Sequence, residues 1–265
     1  MKIHQLIDIG CNLTHDSFDA DREAVIEAAQ SVGVTQMVVT GATEQGSLAA
    51  HLLATQWPEV LTATAGVHPH HASDFSHDTE TVLAELHQKP EVVAVGECGL
   101  DYFRDFSPRP TQHKAFERQL ELAVACQKPV FLHQRDAHAD FLAILKTYRA
   151  ELTGAVVHCF TDTREAMADY LALDCHIGIT GWICDERRGQ HLKEFVGDIP
   201  ADRLMIETDA PYLKPRDLRP KVKSHRNEPQ WLPWIAQTVA ECRGASVEVL
   251  AEQTTQTAKA FFNLS

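Results

Sequence analysis

The sequence predicts an α/β fold, specifically a single (β/α)8 barrel of the TIM type. Short segments rich in Val, Ile and Leu recur eight times along the 265 residues, and amphipathic segments with helical spacing separate them. Such alternation predicts parallel strands joined by helices, and barrels of this type commonly need about 250 residues. A doubly wound open sheet is the alternative, but no Gly-x-Gly-x-x-Gly sequence follows the first strand.

The eight candidate strands are continuous apolar runs rather than alternating ones. Continuous runs are typical of strands that are buried on both faces, as in a parallel barrel. The predicted strands are Ile3–Asp8, Gln36–Thr40, Thr62–Val67, Val92–Gly96, Pro129–His133, Ala155–Cys159, His176–Thr180 and Leu204–Glu207.

Three of the intervening segments show clear helical spacing of apolar residues: Phe18–Val32, Pro110–Gln127 and Asp136–Arg149. Gly33 is predicted to end the first of them, and the side chain of Asp136 to cap the third. No linker or low-complexity tract interrupts the pattern, so residues 1–265 are predicted to form one domain.

The composition argues against several classes of protein. A formal charge of −13 and a pI near 5.5 argue against an extended basic surface for long nucleic acids. Acidity does not exclude a phosphodiester substrate, because bound divalent cations reverse the field within a pocket. The seven scattered cysteines include no Cys-x-x-Cys pair, which argues against a disulfide framework or a thiolate zinc site.

Nothing in the sequence indicates a membrane protein. No apolar run approaches the roughly 20 residues that a spanning helix needs. The first residues reach His, Asp and Gly too early to supply the apolar core of a signal peptide. We therefore expect a cytoplasmic protein with reduced cysteines.

Polar side chains end or follow six of the predicted strands. Each has a structural explanation when taken alone: a histidine after an apolar run is more often a satisfied core residue than a ligand. In a parallel barrel, however, these ends share one rim, where active sites form. Converging imidazoles and carboxylates are suitable ligands for Zn²⁺, Mn²⁺ or Mg²⁺. The six residues are Asp8, His68, Glu97, His133, His158 and Asp209.

We predict that Glu97, His133, His158 and Asp209 hold a divalent cation, with Glu97 and Asp209 also catalytic. His68 is a further site candidate. His70 and the next histidine are expected to be solvated, because they lie in a loop of a chain that has 15 histidines.

Several motifs of this chain resemble those of the TatD family of metal-dependent deoxyribonucleases, in the same order and over nearly the whole chain. They are GECGLD at 96–101, PVFLHQRD at 129–136, VHCFT at 157–161, ITGW at 179–182 and IETDAP at 206–211. DIGCNL at 8–13, GVHPH at 66–70 and RNEP at 226–229 agree as well.

This resemblance implies a barrel of the metallo-dependent hydrolase superfamily and a magnesium-dependent DNase that works from the 3′ end. By position, Glu97 would bridge or anchor the metals, and Asp209 would bind a metal or orient the attacking water. The histidines at 133 and 158 would complete one metal site. Substrate contacts or support for the ligands would come from His68 and Arg135. Apart from the resemblance, Arg216 and Arg226 in the loop after the eighth strand are candidates for phosphate contact, with solvated surface charge as the alternative. Glu207, at the end of the eighth predicted strand, is a further candidate for supporting the site.

One departure from the family pattern concerns the first strand. Many members carry His-x-His there, whereas this chain has Gly10 and Asn12. An amide oxygen suits a hard cation such as Mg²⁺ better than Zn²⁺. We therefore expect Mg²⁺ as the cofactor, with Mn²⁺ and Zn²⁺ as alternatives, and a weakly held second ion near Asn12 and Asp209.

The function that these predictions favour is hydrolysis of DNA phosphodiester bonds by metal-activated water, as a 3′–5′ exonuclease. The expected partner is DNA, as single strands or 3′ ends, and RNA is a possible second substrate. We expect no association with a membrane, and a monomer is the simplest assembly. The alternatives are a metal-dependent amidohydrolase that cleaves a small C–N or ester substrate, and a non-catalytic nucleic-acid-binding barrel.

Overall fold

The computed structural model describes residues 4–221 and 223–265. Eight strands within these ranges form one sheet, in the order β1 to β8. Their bounds are β1 Leu6–Cys11, β2 Val34–Val39, β3 Leu61–Ala65, β4 Val92–Asp101, β5 Val130–Arg135, β6 Ala155–Val157, β7 His176–Ile179 and β8 Leu204–Ile206.

Helices follow the strands in alternation. They are α1 Arg22–Ser31, α2 Glu44–Gln56, α3 His77–Leu86, α4 Arg109–Cys126, α5 His138–Tyr148, α6 Arg164–Ala172, α7 Gln190–Phe195, α8 Leu232–Arg243 and α9 Val247–Phe262. Over the two described ranges, no helix is both long enough and apolar enough to cross a bilayer.

The strand order and direction are those of a (β/α)8 barrel. Parallel pairing joins β1 to β2, β3 to β4, β4 to β5, β5 to β6 and β7 to β8. The segment after β8 returns to β1, since the Thr208 amide donates to Asp8 Oδ1 at 2.9 Å and the Asp209 amide to the Gly10 carbonyl at 2.8 Å. The predicted fold class is confirmed.

The close contacts within the chain define two compact units. The first holds the residues up to Val39 together with Cys159–Arg164 and Ile177–Ser265, and the second holds Thr40–His158 and Glu165–His176. The first unit contains β1, β2, β8 and all of β7 except His176, with α8 and α9 packed together. The second contains β3 to β6, and the Phe116 and Phe141 rings stack in its core with centroids 5.2 Å apart.

Several predicted boundaries are shifted. The first strand lies later than Ile3–Asp8, and Ile3 itself is outside the described residues. The Asp136 cap is wrong: α5 has Ala137 at its N-cap with no side-chain hydrogen bond, and Asp136 has a φ of 53°. Gly33 does follow the end of α1, with a φ of 100°.

Strand β4 is longer than predicted, and this difference determines the geometry of the candidate site. The prediction ended at Gly96, but the strand continues to Asp101, with a register shift against β5 between Val95 and Cys98. Gly96 and Gly99 have φ values of 138° and 144°. A Cβ on Gly99 would lie 1.9 Å from the His133 carbonyl oxygen, so glycine allows β4 to approach the β5 backbone.

We expect Gly99→Ala to lower the free energy of unfolding by about 3 kcal/mol or more, since backbone strain and a clash with β5 add together. Gly244→Ala is the matched control: Gly244 also has a positive φ, of 63°, but a Cβ there meets nothing within 4 Å. The control should lose only about 1 kcal/mol. Urea unfolding measures both, and equal losses would contradict the close approach.

Candidate metal centre

The centre of the site is one carboxylate oxygen surrounded by imidazoles. Glu97 Oε1 lies 2.7 Å from His158 Nε2, 3.0 Å from His133 Nδ1 and 3.4 Å from His68 Nε2. Glu97 is only 7% exposed. Three nitrogen ligands of the kind that bind metals therefore converge on one buried oxygen.

Backbone hydrogen bonds fix the residues that carry these side chains. The Glu97 amide donates to the Gly41 carbonyl at 2.7 Å, and the amide of His68, just after β3, donates to the Ala42 carbonyl at 2.9 Å. The amide of His158, directly after β6, donates to the Leu132 carbonyl on β5 at 2.9 Å. His68 and His158 thus leave the carboxyl ends of β3 and β6 at set positions, and Glu97 leaves β4 four residues before its end.

The electrostatics of the cluster favour an anionic glutamate. Burial alone would raise the pKa of Glu97. The charges of His158 and His68 and the hydrogen bonds from His133 and His158 outweigh this effect of burial. The pKa of Glu97 therefore lies well below its usual range. Burial opposes the charged form of His133, yet its hydrogen bonds with Asp101 and Glu97 raise its pKa. Burial lowers the pKa of His68.

Two residues that the sequence analysis did not assign to the site, Asp101 and His70, are part of it. Asp101 Oδ2 lies 3.1 Å from His133 Nε2 and 2.9 Å from His70 Nε2. His70 was expected to be solvated, but its ring packs on that of His68, with centroids 4.2 Å apart. The sequence held a signal for Asp101: it is four residues after Glu97, which is the same face of one strand.

Asp101 and Glu97 contact opposite nitrogens of the His133 ring, Asp101 at Nε2 and Glu97 at Nδ1. A carboxylate can only accept, so each contact favours a proton on the nitrogen that faces it, in line with the raised pKa of His133. A cation beside Glu97 would take the place of the Nδ1 proton, and Asp101 would then keep the remaining ring proton on Nε2. Asp101 therefore orients the nitrogen that faces the cluster, as carboxylates commonly do behind metal-binding histidines.

Replacing Asp101 with asparagine should weaken Mn²⁺ binding about 10- to 100-fold. The side-chain amide would donate to Nε2 and move the ring proton to Nδ1, where it blocks coordination. Asp105→Asn is the matched control, because Asp105 is exposed and pairs with Arg109 at 3.2 Å. Calorimetric titration with Mn²⁺ measures both variants; equal affinities would rule out this role for Asp101.

The donor atoms suit a divalent cation. The ligand atoms of Glu97, His133 and His158 lie within 4.8 Å of one another, and so do those of His68, Asp101 and His133. Nitrogen and oxygen donors of this kind fit Zn²⁺, Mn²⁺ or Mg²⁺. Burial raises the pKa of the neighbouring Cys98 thiol, so a thiolate ligand is not favoured there.

Asp209 and Asn12 belong to the first compact unit. Asn12 Nδ2 donates to Asp209 Oδ1 at 3.0 Å, which joins the segments after β1 and β8. The Asp8 carboxylate on β1 accepts hydrogen bonds from Thr208 and so also joins β1 to the segment after β8. Burial raises the pKa of Asp8 to about 8. The two groups of three potential ligands found in the described part of the chain do not include Asp209.

The remaining predicted residues occupy varied surroundings. Glu207 is buried and accepts a hydrogen bond from the Cys159 amide. Arg135 lies 4.7 Å from the centre of the Phe103 ring. Arg216 contacts a glutamate, Glu186, at 3.1 Å and lines an open cleft with other basic side chains, which are Arg187, Arg188, Lys214 and Lys221.

Arg226 is already bound by two carboxylates. Its Nη2 lies 2.7 Å from Asp21 Oδ2 and 2.9 Å from Glu228 Oε1. The pair with Asp21 connects the loop after β8 to the residue before α1, and the pair with Glu228 lies within the loop itself. This geometry favours a structural role for Arg226 over the phosphate contact that its position suggested.

Curated relatives match this chain over nearly its full length. A protein of Erwinia billingiae named "3'-5' ssDNA/RNA exonuclease TatD" is 52% identical over 98% of this chain and 99% of its own length. A protein of the same name from Pantoea vagans is 50% identical over 98% of this chain and its own full length.

Solved structures and a family model agree with these relatives. YJJV, a TatD homolog from Escherichia coli, superposes with a TM-score of 0.90 at 27% identity and covers 100% of both chains. A TatD family hydrolase from Entamoeba histolytica gives a TM-score of 0.86 at 26% identity, covering 100% of both chains. The model described as "TatD related DNase" matches residues 7–263. This chain therefore belongs to the TatD-related DNase family.

Proposed function

We propose that this chain is a magnesium-dependent 3′–5′ exonuclease that hydrolyses phosphodiester bonds of DNA, with single strands and 3′ ends as its preferred substrates and RNA as a second substrate. The observation that carries the proposal is the convergence of His158, His133 and His68 on one oxygen of Glu97. The exonuclease names of relatives about half identical to this chain support the same reaction.

Glu97, His133 and His158 are the residues that would hold the cation, together with Asp209 after β8. The carboxyl ends of the strands are where active sites form in barrels of this type. A divalent cation supplies charge stabilisation at the phosphoryl group and acidifies water. The anionic state of Glu97 and the orientation of His133 prepare the protein for that cation.

Asp209 is the proposed proton acceptor for the attacking water. Its carboxylate accepts from the Asn12 amide nitrogen at 3.0 Å, which orients it without neutralising its charge. A second, more weakly held ion near Asn12 and Asp209 would balance the charge of the leaving oxygen. The amide at position 12 favours Mg²⁺ there over Zn²⁺.

Phosphate groups of the substrate would contact Arg135 and Arg216, and Glu207 would support the segment that carries Asp209. The cleft beside Arg216 also holds Lys214 and Lys221. Its arginines pair with Asp185 or Glu186, so a phosphate at Arg216 would displace those carboxylates.

We further propose that the chain works as one domain in the cytoplasm. The unbroken family match over residues 7–263 supports the single domain. Cysteines that form no disulfide in the described part of the chain support the cytoplasm.

Digestion of end-labelled DNA and RNA single strands tests the proposed function. Products should form with Mg²⁺ or Mn²⁺ and disappear with EDTA or in a folded His133→Ala variant. A ladder that shortens only from the 3′ end supports the proposed polarity. Equal digestion in EDTA, or no digestion of either polymer by the wild-type chain with any metal, would refute the proposal.

A further inference from the structure

Two exposed phenylalanines lie in one short loop beside the candidate metal centre. We define the aromatic loop as residues 102–107, which follow β4. Phe103 is 56% exposed and Phe106 is 68% exposed. Single exposed apolar residues are common on proteins, but two large rings three positions apart at the edge of a polar site indicate a surface that binds a ligand.

Hydrogen bonds from buried side chains hold the aromatic loop in place. Ser107 Oγ donates to the His70 carbonyl at 3.0 Å and accepts from the Ser73 amide at 3.1 Å. Gln112 Nε2 donates to the Ser107 carbonyl at 2.8 Å, and the Arg104 amide donates to Asp101 Oδ1 at 2.7 Å. The two rings are therefore displayed by an anchored backbone, and binding a ligand there costs little ordering entropy.

The loop is continuous with the imidazole cluster. The Phe106 ring packs against the His70 ring with centroids 4.9 Å apart, and His70 in turn packs against His68 at 4.2 Å. A strand held at Glu97 and running along the His68 and His70 rings would reach the Phe106 ring.

Two guanidinium groups lie over the Phe103 ring. The guanidinium carbons of Arg135 and Arg104 lie 4.7 Å and 5.5 Å from the centre of the Phe103 ring. Aromatic faces next to guanidinium groups are the combination that binds single-stranded nucleic acid, because bases stack on the rings while phosphates meet the cations. A base-paired duplex keeps its bases stacked inside and offers no free face to such rings.

We infer that Phe103 and Phe106 form a base-stacking platform that selects single-stranded nucleic acid at the candidate centre. This inference rests on the proposed nuclease function and adds the residues that recognise unpaired bases. The expected ligand is a short single strand whose terminal bases stack on the two rings while its phosphates contact Arg104 and Arg135.

Binding of two fluorescent ten-residue ligands in EDTA tests the platform without turnover. One is an oligothymidylate, and the other is an abasic strand with the same number of phosphates. The wild-type chain should bind the oligothymidylate at least about 25-fold more tightly, because one base–aromatic stack contributes about fivefold or more. The Phe103→Ala/Phe106→Ala double variant should lose that difference and keep its affinity for the abasic strand.

Two controls separate stacking from general apolarity and from misfolding. Tyrosine at both positions should restore the preference, whereas leucine should not. Leu52→Ala removes another exposed apolar side chain, 58% exposed on α2, and should leave both affinities unchanged. Substitutions at exposed positions usually leave stability nearly unchanged, so these variants should fold.

Wild-type affinities that are equal for the two ligands, or a preference that survives in the double variant, would overturn the platform. These outcomes differ from failure of the nuclease assignment. In that case the wild-type chain would leave labelled DNA and RNA intact with every metal, whatever residues stand at 103 and 106.

Discussion

Replacing Glu97 with glutamine is expected to lower kcat for single-stranded DNA about a thousandfold or more. The amide keeps the shape of the side chain but removes the anion on which His158, His133 and His68 converge. A bound cation contributes several kcal/mol of transition-state stabilisation, and each 1.36 kcal/mol corresponds to a factor of ten. Single-turnover digestion under saturating Mg²⁺ measures the change.

A matched control separates this effect from a general loss of carboxylate. Glu121→Gln changes a half-exposed residue that pairs with Arg118 on the same helix, and should leave kcat unchanged. Circular dichroism and urea unfolding of Glu97→Gln then establish that the variant is folded. Activity within tenfold of wild type in a folded Glu97→Gln protein would contradict the assigned role.

Asp209→Asn is expected to give the second large loss, about 10²- to 10⁴-fold in kcat, which is the usual contribution of a positioned proton acceptor. The amide can still accept a hydrogen bond from Asn12, so the local backbone should be preserved. Because Glu97, His133 and His158 are unchanged, Mn²⁺ should still bind at their site. Parallel kinetics and Mn²⁺ titration measure the two effects.

The comparison variant for Asp209 is Asn12→Ala, which removes the hydrogen-bond donor and keeps the carboxylate. Its kcat should fall less than that of Asp209→Asn, since orientation is lost but the acceptor remains. If the kcat of Asp209→Asn equals that of the wild-type chain, proton transfer must be assigned to another group.

The fold was predictable because apolar runs and amphipathic helices alternate with little interruption. Strand boundaries were harder to predict, since they depend on contacts between neighbouring strands. The apolar run of the fourth strand ends at Gly96, yet Gly96 and Gly99 are the residues that let β4 approach β5 and continue to Asp101. The polar Asp8 predicts the end of the first strand, but Thr208 satisfies its buried carboxylate and β1 continues to Cys11.

The candidate ligands could be proposed from sequence because polar residues at the carboxyl ends of parallel strands share one rim. The supporting residues could not be assigned in the same way. Asp101 required the true length of β4, and His70 required the ring packing that places it against His68. The two carboxylates that bind Arg226 include Asp21, which is 205 positions away, and spacing along the chain does not reveal such a pair.

Anomalous X-ray diffraction from crystals soaked in Mn²⁺ would locate the cation relative to its proposed ligands. We expect a peak within about 2.0–2.3 Å of a Glu97 oxygen and of one nitrogen each from His133 and His158, distances typical of such ligands. A peak elsewhere in crystals with an ordered site, with these three side chains still bonded only to one another, would contradict this expectation.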